Sequence, residues 1–452
     1  MDQPLTCVRG SELERAENFE THPEVGHSRP GCVCFAAGSG ILTKALSHLR
    51  ICDFTGQLAG AGATKYLAAF GAEVIRIEDP VMQGRWDILR GIAPYKDERR
   101  GINFGGAYNN HNVEKLGITL NLRTEKGREV VRKLISFSDV VTENFAAGVL
   151  ARLGLSYEEL KQIRPDIIYV SNCGFGHVGP YSHYKTWGPI VQAVSGLTFS
   201  SGLPGHQPAG WGYSYMDHTG AYYMAIAIMA AIHHRNRTGE GQWVDLGCTE
   251  AGAALNGPAM LDFTVNGRPL RREGSPNSNH NQFPPMAPHG IYPTNGDDNW
   301  VALSCRNDQD WQAFVWAAGE DLHVDAKFDT IEGRIANENE LDGIVSKWCG
   351  TRDRFEIERE LKAAGVPCEP VRRPQERIDQ DPNTAAFGMW PTVQHAAMGD
   401  VRVDGIPVHL SKTDWELLHG APCLGEHNER VFGGILGYSA EELAAMHEGG
   451  VI

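Results

Sequence analysis

Runs of positive charge are missing from this sequence. Its 452 residues carry 41 Lys and Arg against 56 Asp and Glu, a net charge of −15. A phosphate backbone is held by a basic face, so the composition excludes general nucleic-acid binding, and any phosphate ligand must rely on a few local basic residues. Paired metal-ligand spacings are missing too: the ten cysteines are scattered and no CxxC occurs. No metal site is expected, and the thiols read as the reduced residues of a cytoplasmic protein. Long apolar runs are also absent. The greasiest stretch, Ala221 to Ile232, covers three turns and is too short to span a bilayer, so no membrane partner is expected. The first thirty residues are polar and acidic, and no secretory signal is expected there. Residues 1–46 are expected to form a loosely ordered extension.

What is present is a core-forming composition, 42% hydrophobic, in a chain long enough for two or three domains. From Leu49 the pattern runs LRICDFT, then GQLAGAGATKYLAAF, then AEVIRIED, a strand, Gly-rich turn, helix and second strand. This is a βαβ unit that opens a parallel sheet. The glycines Gly56, Gly60 and Gly62 do not fit GxGxxG, although Glu78 stands roughly where a ribose-binding acid would. They read better as small residues that let a loop and helix approach a ligand or neighbour. An Arg- and Gly-rich loop follows, with Arg85, Arg90, Arg99 and Arg100, either solvated or a phosphate clamp. KLGITLNL, SDVVTENF and DIIYVSNCGFG read as further strands. Thr124–Phe137, Gly148–Leu153 and Tyr157–Ile163 read as the helices between them. From about Arg268 the composition turns to Ser, Asn, Gln and Pro. IYPTNGDDNWVALSC then reads as two strands around a turn.

The chain is organised around GWGYSYMDHTGAYYMAIAIMAAIHHRNRTGEGQWVDL, residues 210–246. Its centre is apolar on every side, as in a helix buried within a large core. Asp217 stands just before it. An acid there serves either as an N-cap or as a nucleophile whose carboxylate the helix terminus holds ionised and directed.

Several motifs together resemble the family III CoA transferases, the CaiB/BaiF family, which includes formyl-CoA transferases and 2-methylacyl-CoA racemases. They are DFTGQLAGAGATKYLAAFGAEVIRIEDP, NVEKLGITLNL, DVVTENFAAGVLARLG, RPDIIYVSNCGFGHVGP, AIAIMAAIHHRNRTGEGQWVDL, AAGVPCEPV and LGEHNERV, in the family's order from Leu49 onward. The resemblance implies that Asp217 is the catalytic nucleophile of an acyl-CoA:carboxylate CoA transferase. The carboxylate would attack a thioester to form a mixed anhydride, and CoA thiolate would convert this to an aspartyl-CoA thioester. Amide donors for the oxyanions would come from glycines around the Asp or from the Gly274–Asn281 loop. CoA contacts carried over position by position are Gln57, Leu58, Ala59, Leu120, Asn144, Phe145, Arg152 and Leu153, with Arg90 and Lys185 as basic candidates. CoA and acyl-CoA are substrates here, and no permanently bound cofactor is implied.

The resemblance also implies an α/β fold with a Rossmann-like parallel sheet in a large domain, a smaller α+β domain, and two chains interlocked as a homodimer. The expected division is 47–265 for the first part of the large domain, 266–350 for the small domain and 351–452 for the return to the large one. Two departures bear on function. Racemases of the family carry a His where this chain has Trp187, and His183 reads as a surface residue, so a two-base isomerase loses ground. Gly188-Pro189 follows, where many members carry an acid. A CoA-binding subunit of a mixed complex and a nicotinamide oxidoreductase are the remaining rivals. Trp187, Trp211, Tyr213, Tyr215, Tyr222 and Tyr223 point to a bulky or aromatic acyl group, with Tyr222 and Tyr223 more readily core residues.

Overall fold

The computed structural model describes residues 44–212 and 214–452, so the expected N-terminal extension lies almost wholly outside the described residues. Alternation of strand and helix gives β1 (Arg50–Asp53), α1 (Ala59–Ala69), β2 (Glu73–Glu78), α2 (Gly106–Asn112), β3 (Leu116–Thr119), α3 (Glu125–Ser136) and β4 (Val140–Glu143). It continues through α4 (Val149–Arg152), α5 (Tyr157–Ile163), β5 (Ile168–Cys173), α6 (Gly188–Val194), α7 (Leu197–Ser200), α8 (Tyr215–Thr238), β6 (Trp243–Gly247) and α9 (Cys248–Leu255). The six strands form one parallel sheet in the order β3-β2-β1-β4-β5-β6. This is the doubly wound Rossmann order, and the strand sequence reverses between β1 and β4.

Local chemistry explains the elements. Thr124 caps α3 by accepting from Gly127 N–H at 2.9 Å, and Val130, Val131, Leu134 and Ile135 form its buried stripe. Ser156 and Glu159 make a reciprocal capping box on α5. At the sheet edge, the N–H groups of Gly117 and Thr119 in β3 donate to His427 Nδ1 (3.1 Å) and Asn428 Oδ1 (2.9 Å). The HNERV motif near the C-terminus therefore covers an edge strand that would otherwise invite pairing.

The apolar α8 departs from the expectation of burial on all sides. Ala221, Met224, Ile228 and Ile232 pack inward against α1 and the sheet, and Met216 packs with Val191, Leu197, Cys248 and Ala251 of α6, α7 and α9. On its other face Tyr222 (45% exposed), Tyr223 (38%) and Ile226 (66%) are open in the single chain, so the two tyrosines are not core residues. The close approach depends on Gly62 of α1, where a Cβ would already lie 3.2 Å from Ala221 Cβ.

After α10 (Gly257–Asn266) come two short strands, β7 (Asn281–Gln282) and β8 (Pro285–Met286), then β9 (His289–Pro293), β10 (Trp300–Ser304), α11 (Asp308–Ala318), α12 (Ile331–Ala336), α13 (Glu338–Gly350), α14 (Arg354–Ala363) and β11 (Cys368–Pro370). The antiparallel sheet β11-β10-β9 and its helices share a core that includes Val301, Trp311, Phe314, Leu341, Ile357 and Cys368. Packing in this smaller unit thus continues past Gly350, where the sequence reading placed its end, because β11 completes the sheet. The chain then returns: Val431, Phe432, Met446 and Val451 join the core around β2, β3 and α3. Among the described residues no helix is long and apolar enough to cross a membrane.

One buried carboxylate ties the large unit together. Asp53 accepts from Thr55 N–H (3.0 Å), Thr55 Oγ1 (2.6 Å), Thr142 Oγ1 (2.9 Å) and Thr64 Oγ1 (2.9 Å), with Lys115 Nζ at 3.3 Å. Burial works to raise its pKa, but the charges of Lys115 and Arg76 and the Thr55 hydrogen bonds outweigh it and hold it below the ordinary carboxylate value. Because the folded value is depressed, its stabilisation is present above the unfolded pKa and lost as pH falls through the folded one. Asp53→Ala leaves Lys115 and three threonines without their acceptor, and is expected to cost about 3–5 kcal/mol in denaturant unfolding at neutral pH.

Candidate active site

Ligands of open α/β sheets sit beyond the carboxyl ends of the strands where the order reverses. There the loops after β1, β4 and β5 meet the loop before α6 and the first turn of α8, around a cavity of about 310 Å³. Asn144, just past β4, locks two of these loops together: its Oδ1 accepts from Gly56 N–H at 2.8 Å and its Nδ2 donates to Gly56 O at 2.9 Å. Trp86 packs on Phe145 with ring centroids 5.0 Å apart, and both line the cavity.

Asp217 also lines it. The N-cap position of α8 belongs to Ser214, and Asp217 sits in the first helical turn with its N–H on Ser214 O at 3.0 Å. Asp217 is therefore not the N-cap residue. Its carboxylate lies against Gly188 so closely that a Cβ there would fall 1.9 Å from Oδ2. Burial raises the Asp217 pKa, while hydrogen bonds from the Ser214 side chain, the Gly188 N–H and its own N–H oppose the shift. A half-buried carboxylate at a helix N-terminus, held by backbone donors and open to a cavity, has the setting of a nucleophile.

A model of the family described as CoA-transferase family III matches residues 46–428. The chain belongs to CoA-transferase family III. Among curated relatives, the succinyl-CoA–D-citramalate CoA-transferase of Chloroflexus aurantiacus is 30% identical over 90% of this chain and 98% of its own length. The formyl-CoA:oxalate CoA-transferase of Streptomyces coelicolor is 31% identical over 90% of this chain and 99% of its own. Among solved structures, a CaiB/BaiF family protein from Brucella suis superposes with a TM-score of 0.77 at 28% identity, covering 87% of this chain and all of that one.

Within this family III CoA-transferase, the residues singled out by sequence fall into four groups. Gln57, Ala59, Asn144, Phe145, Lys185 and Asp217 surround the one cavity. Leu58 and Leu120 are buried core residues outside its lining, and Leu153 is half-buried against the same core as Leu120. Arg152, at the end of α4, is exposed and outside the cavity lining. Arg90 corrects the expectation of a phosphate clamp. It is 1% exposed, with Nε and Nη2 on Glu78 at 2.7 and 2.5 Å and Nη2 on the Tyr108 hydroxyl at 2.6 Å. The same ion pair occupies Glu78, so no ribose acid is presented. Arg85, Arg99 and Arg100 stay exposed.

Residues 274–281 do not line the cavity, and His280 is engaged with Asp342 and Glu338 of the smaller unit. His183 is exposed against Tyr184, and Trp211 pairs with Tyr215 at 4.9 Å outside the lining, whereas Trp187 faces the cavity. Tyr213 lies outside the described residues. The sequence reading missed Trp86, Asn172, Cys173 and Cys248. The strand-end rule that selected Asn144 would also have found Asn172 and Cys173, and the turn after β6 would have found Cys248.

Gly188→Ala places a methyl where the Asp217 carboxylate rests and must displace it by an ångström or more. Single-turnover acylation by a substrate acyl-CoA is expected to slow by about 100-fold, the order that such a misplacement costs.

Proposed function

We propose that this family III CoA-transferase moves CoA from an acyl-CoA donor to a carboxylic acid acceptor through covalent intermediates on Asp217. The observation that carries this is the Asp217 carboxylate: it is the acid lining the cavity, it is fixed by backbone donors, and it stands at the switch point where residues implied in CoA contact converge.

Asp217 attacks the thioester carbonyl and CoA leaves as thiolate, giving a mixed anhydride. The thiolate attacks the aspartyl carbonyl, releasing the donor acid and forming an aspartyl-CoA thioester. The acceptor carboxylate displaces CoA to form a second anhydride, and the thiolate returns to the acceptor carbonyl, restoring the Asp217 carboxylate. Burial that raises the carboxyl pKa also leaves its anion poorly solvated and more nucleophilic once formed. CoA is a substrate throughout. Gln57, Ala59, Asn144 and Phe145 would hold its adenylate and pantetheine portions, with exposed Lys185 as the nearby cation for a phosphate.

The relatives are named for short acids, succinate with citramalate and formate with oxalate. Trp187 and Trp86 narrow the cavity here, and the acceptor is a carboxylic acid that fits beside them. An isomerase reading needs a second base across from Asp217, and an indole stands at the position where the racemases carry one. Two open features support a homodimer: the bare apolar face of α8, and a chain that leaves the large unit and returns to it.

Incubation with a panel of acyl-CoAs, trapping with hydroxylamine or borohydride and peptide mass analysis test the proposal. Modification of the Asp217 peptide in the wild type, and none in Asp217→Ala, is expected. Exchange of the α-proton with deuterated water and no trapped adduct from any donor would replace the transferase by an isomerase.

A further inference from the structure

Cys173 closes β5 and lines the same cavity as Asp217. The ring of His177 lies beside Cys173, with Nε2 3.1 Å from Glu143 Oε1. Glu143 ends β4, is buried, and accepts from Phe145 N–H at 2.7 Å and from the Tyr169 hydroxyl at 3.2 Å. The His177 backbone is fixed in turn, its N–H donating to both carboxylate oxygens of Asp245 in β6 at 2.9 Å. The ends of β4, β5 and β6 thus set Cys173, His177 and Glu143 close together, an arrangement that the Asp217 chemistry does not use.

Burial works against charge on the His177 ring, but the proximity of Cys173 and the Glu143 carboxylate prevails and raises its pKa to about 10. The other described thiols lack this setting. Cys52, Cys248, Cys305, Cys349 and Cys368 are buried, and burial pushes each up, to about 12 for Cys248, Cys349 and Cys368. Half-buried Cys423 is pushed up by burial as well.

We propose that Cys173 is a modification site for CoA itself: it exchanges with a CoA disulfide held in the cavity and ends as a Cys173–CoA mixed disulfide that blocks transfer. This rests on the reading of the cavity as the seat of the CoA thiol end. A pantetheine chain whose sulfur reaches Asp217 brings that sulfur into the space Cys173 lines. In the exchange the Cys173 sulfur attacks one sulfur of the CoA disulfide, the old S–S bond breaks, and the departing CoA thiolate takes up the proton that the Cys173 thiol gives up. Cys173 is oxidised and the leaving CoA is reduced, so CoA disulfide is the only oxidant required. Glu143 and His177 act as positioning residues for the sulfur.

The test treats the full chain with CoA disulfide and, in parallel, with glutathione disulfide, and maps the adducts by peptide mass. Expected are a CoA adduct on Cys173 that forms at least about tenfold faster than the glutathione adduct, loss of transferase activity in step with it, and reversal of both by dithiothreitol. Cys173→Ser should keep its own untreated rate through the same treatment, and His177→Gln should slow labelling by about tenfold through loss of the ring that positions the sulfur. An unlabelled Cys173, or one labelled by both disulfides at equal rates, overturns the proposal. Acylation of Asp217 by an acyl-CoA in the same preparation separates the causes: if it proceeds, the disulfide proposal falls alone, and if it fails too, the reading of the cavity falls with it.

Discussion

The buried Asp53 carboxylate is the contact on which the ligand end of the sheet depends. It joins the end of β1 to Thr142 of β4, to Thr64 of α1 and to the turn at Thr55, while Lys115 from the approach to β3 neutralises it. With these elements fixed, the loop carrying Gly56 and Gln57 has one course, and Asn144 clamps it from the next strand. An ion inside a core is costly unless every lone pair is occupied, and here four hydroxyl and amide hydrogen bonds and an ammonium group meet it. The neighbouring Arg76, Asp87, Glu78 and Arg90 ion pairs extend the same principle along β2. Arg76, Arg90 and Lys115 are thus positive charges of this acidic chain used inside the fold.

Much of the large unit was legible in the sequence because its signals are local. Thr124 before an amphipathic stretch, Ser156 with Glu159, and short β-branched runs between helices set their elements without tertiary help. The smaller unit was harder to delimit. Its last strand, Cys368–Pro370, is only three residues long and gains its identity from pairing with β10, which no local pattern reveals. The exposed face of α8 failed for the related reason that an all-apolar helix shows no face by composition, and only packing decides which side is covered.

At the site, the acid was legible and the clamp was not. Asp217 was found from its place ahead of an apolar helix and from the family resemblance, and it does line the switch-point cavity. Arg90 was misread because a loop arginine near a Gly-rich segment has the same sequence appearance whether it meets a phosphate or a buried carboxylate. Its partner Glu78, twelve residues earlier, carries the explanation. Gly188, which looked only like a departure from the family pattern, proves to be the surface on which the Asp217 carboxylate rests.

The central claim is that Asp217 carries the acyl group and the CoA in turn, and oxygen exchange tests it most directly. In that sequence the bridging oxygen of the second anhydride comes from the acceptor and stays on the aspartate when thiolate attacks the acceptor carbonyl. With an acceptor acid labelled by heavy oxygen at both carboxylate positions, turnover should leave label in the Asp217 peptide, and the product acyl-CoA should keep one labelled oxygen. Steady CoA transfer with no heavy oxygen in Asp217 would contradict a covalent route through this residue.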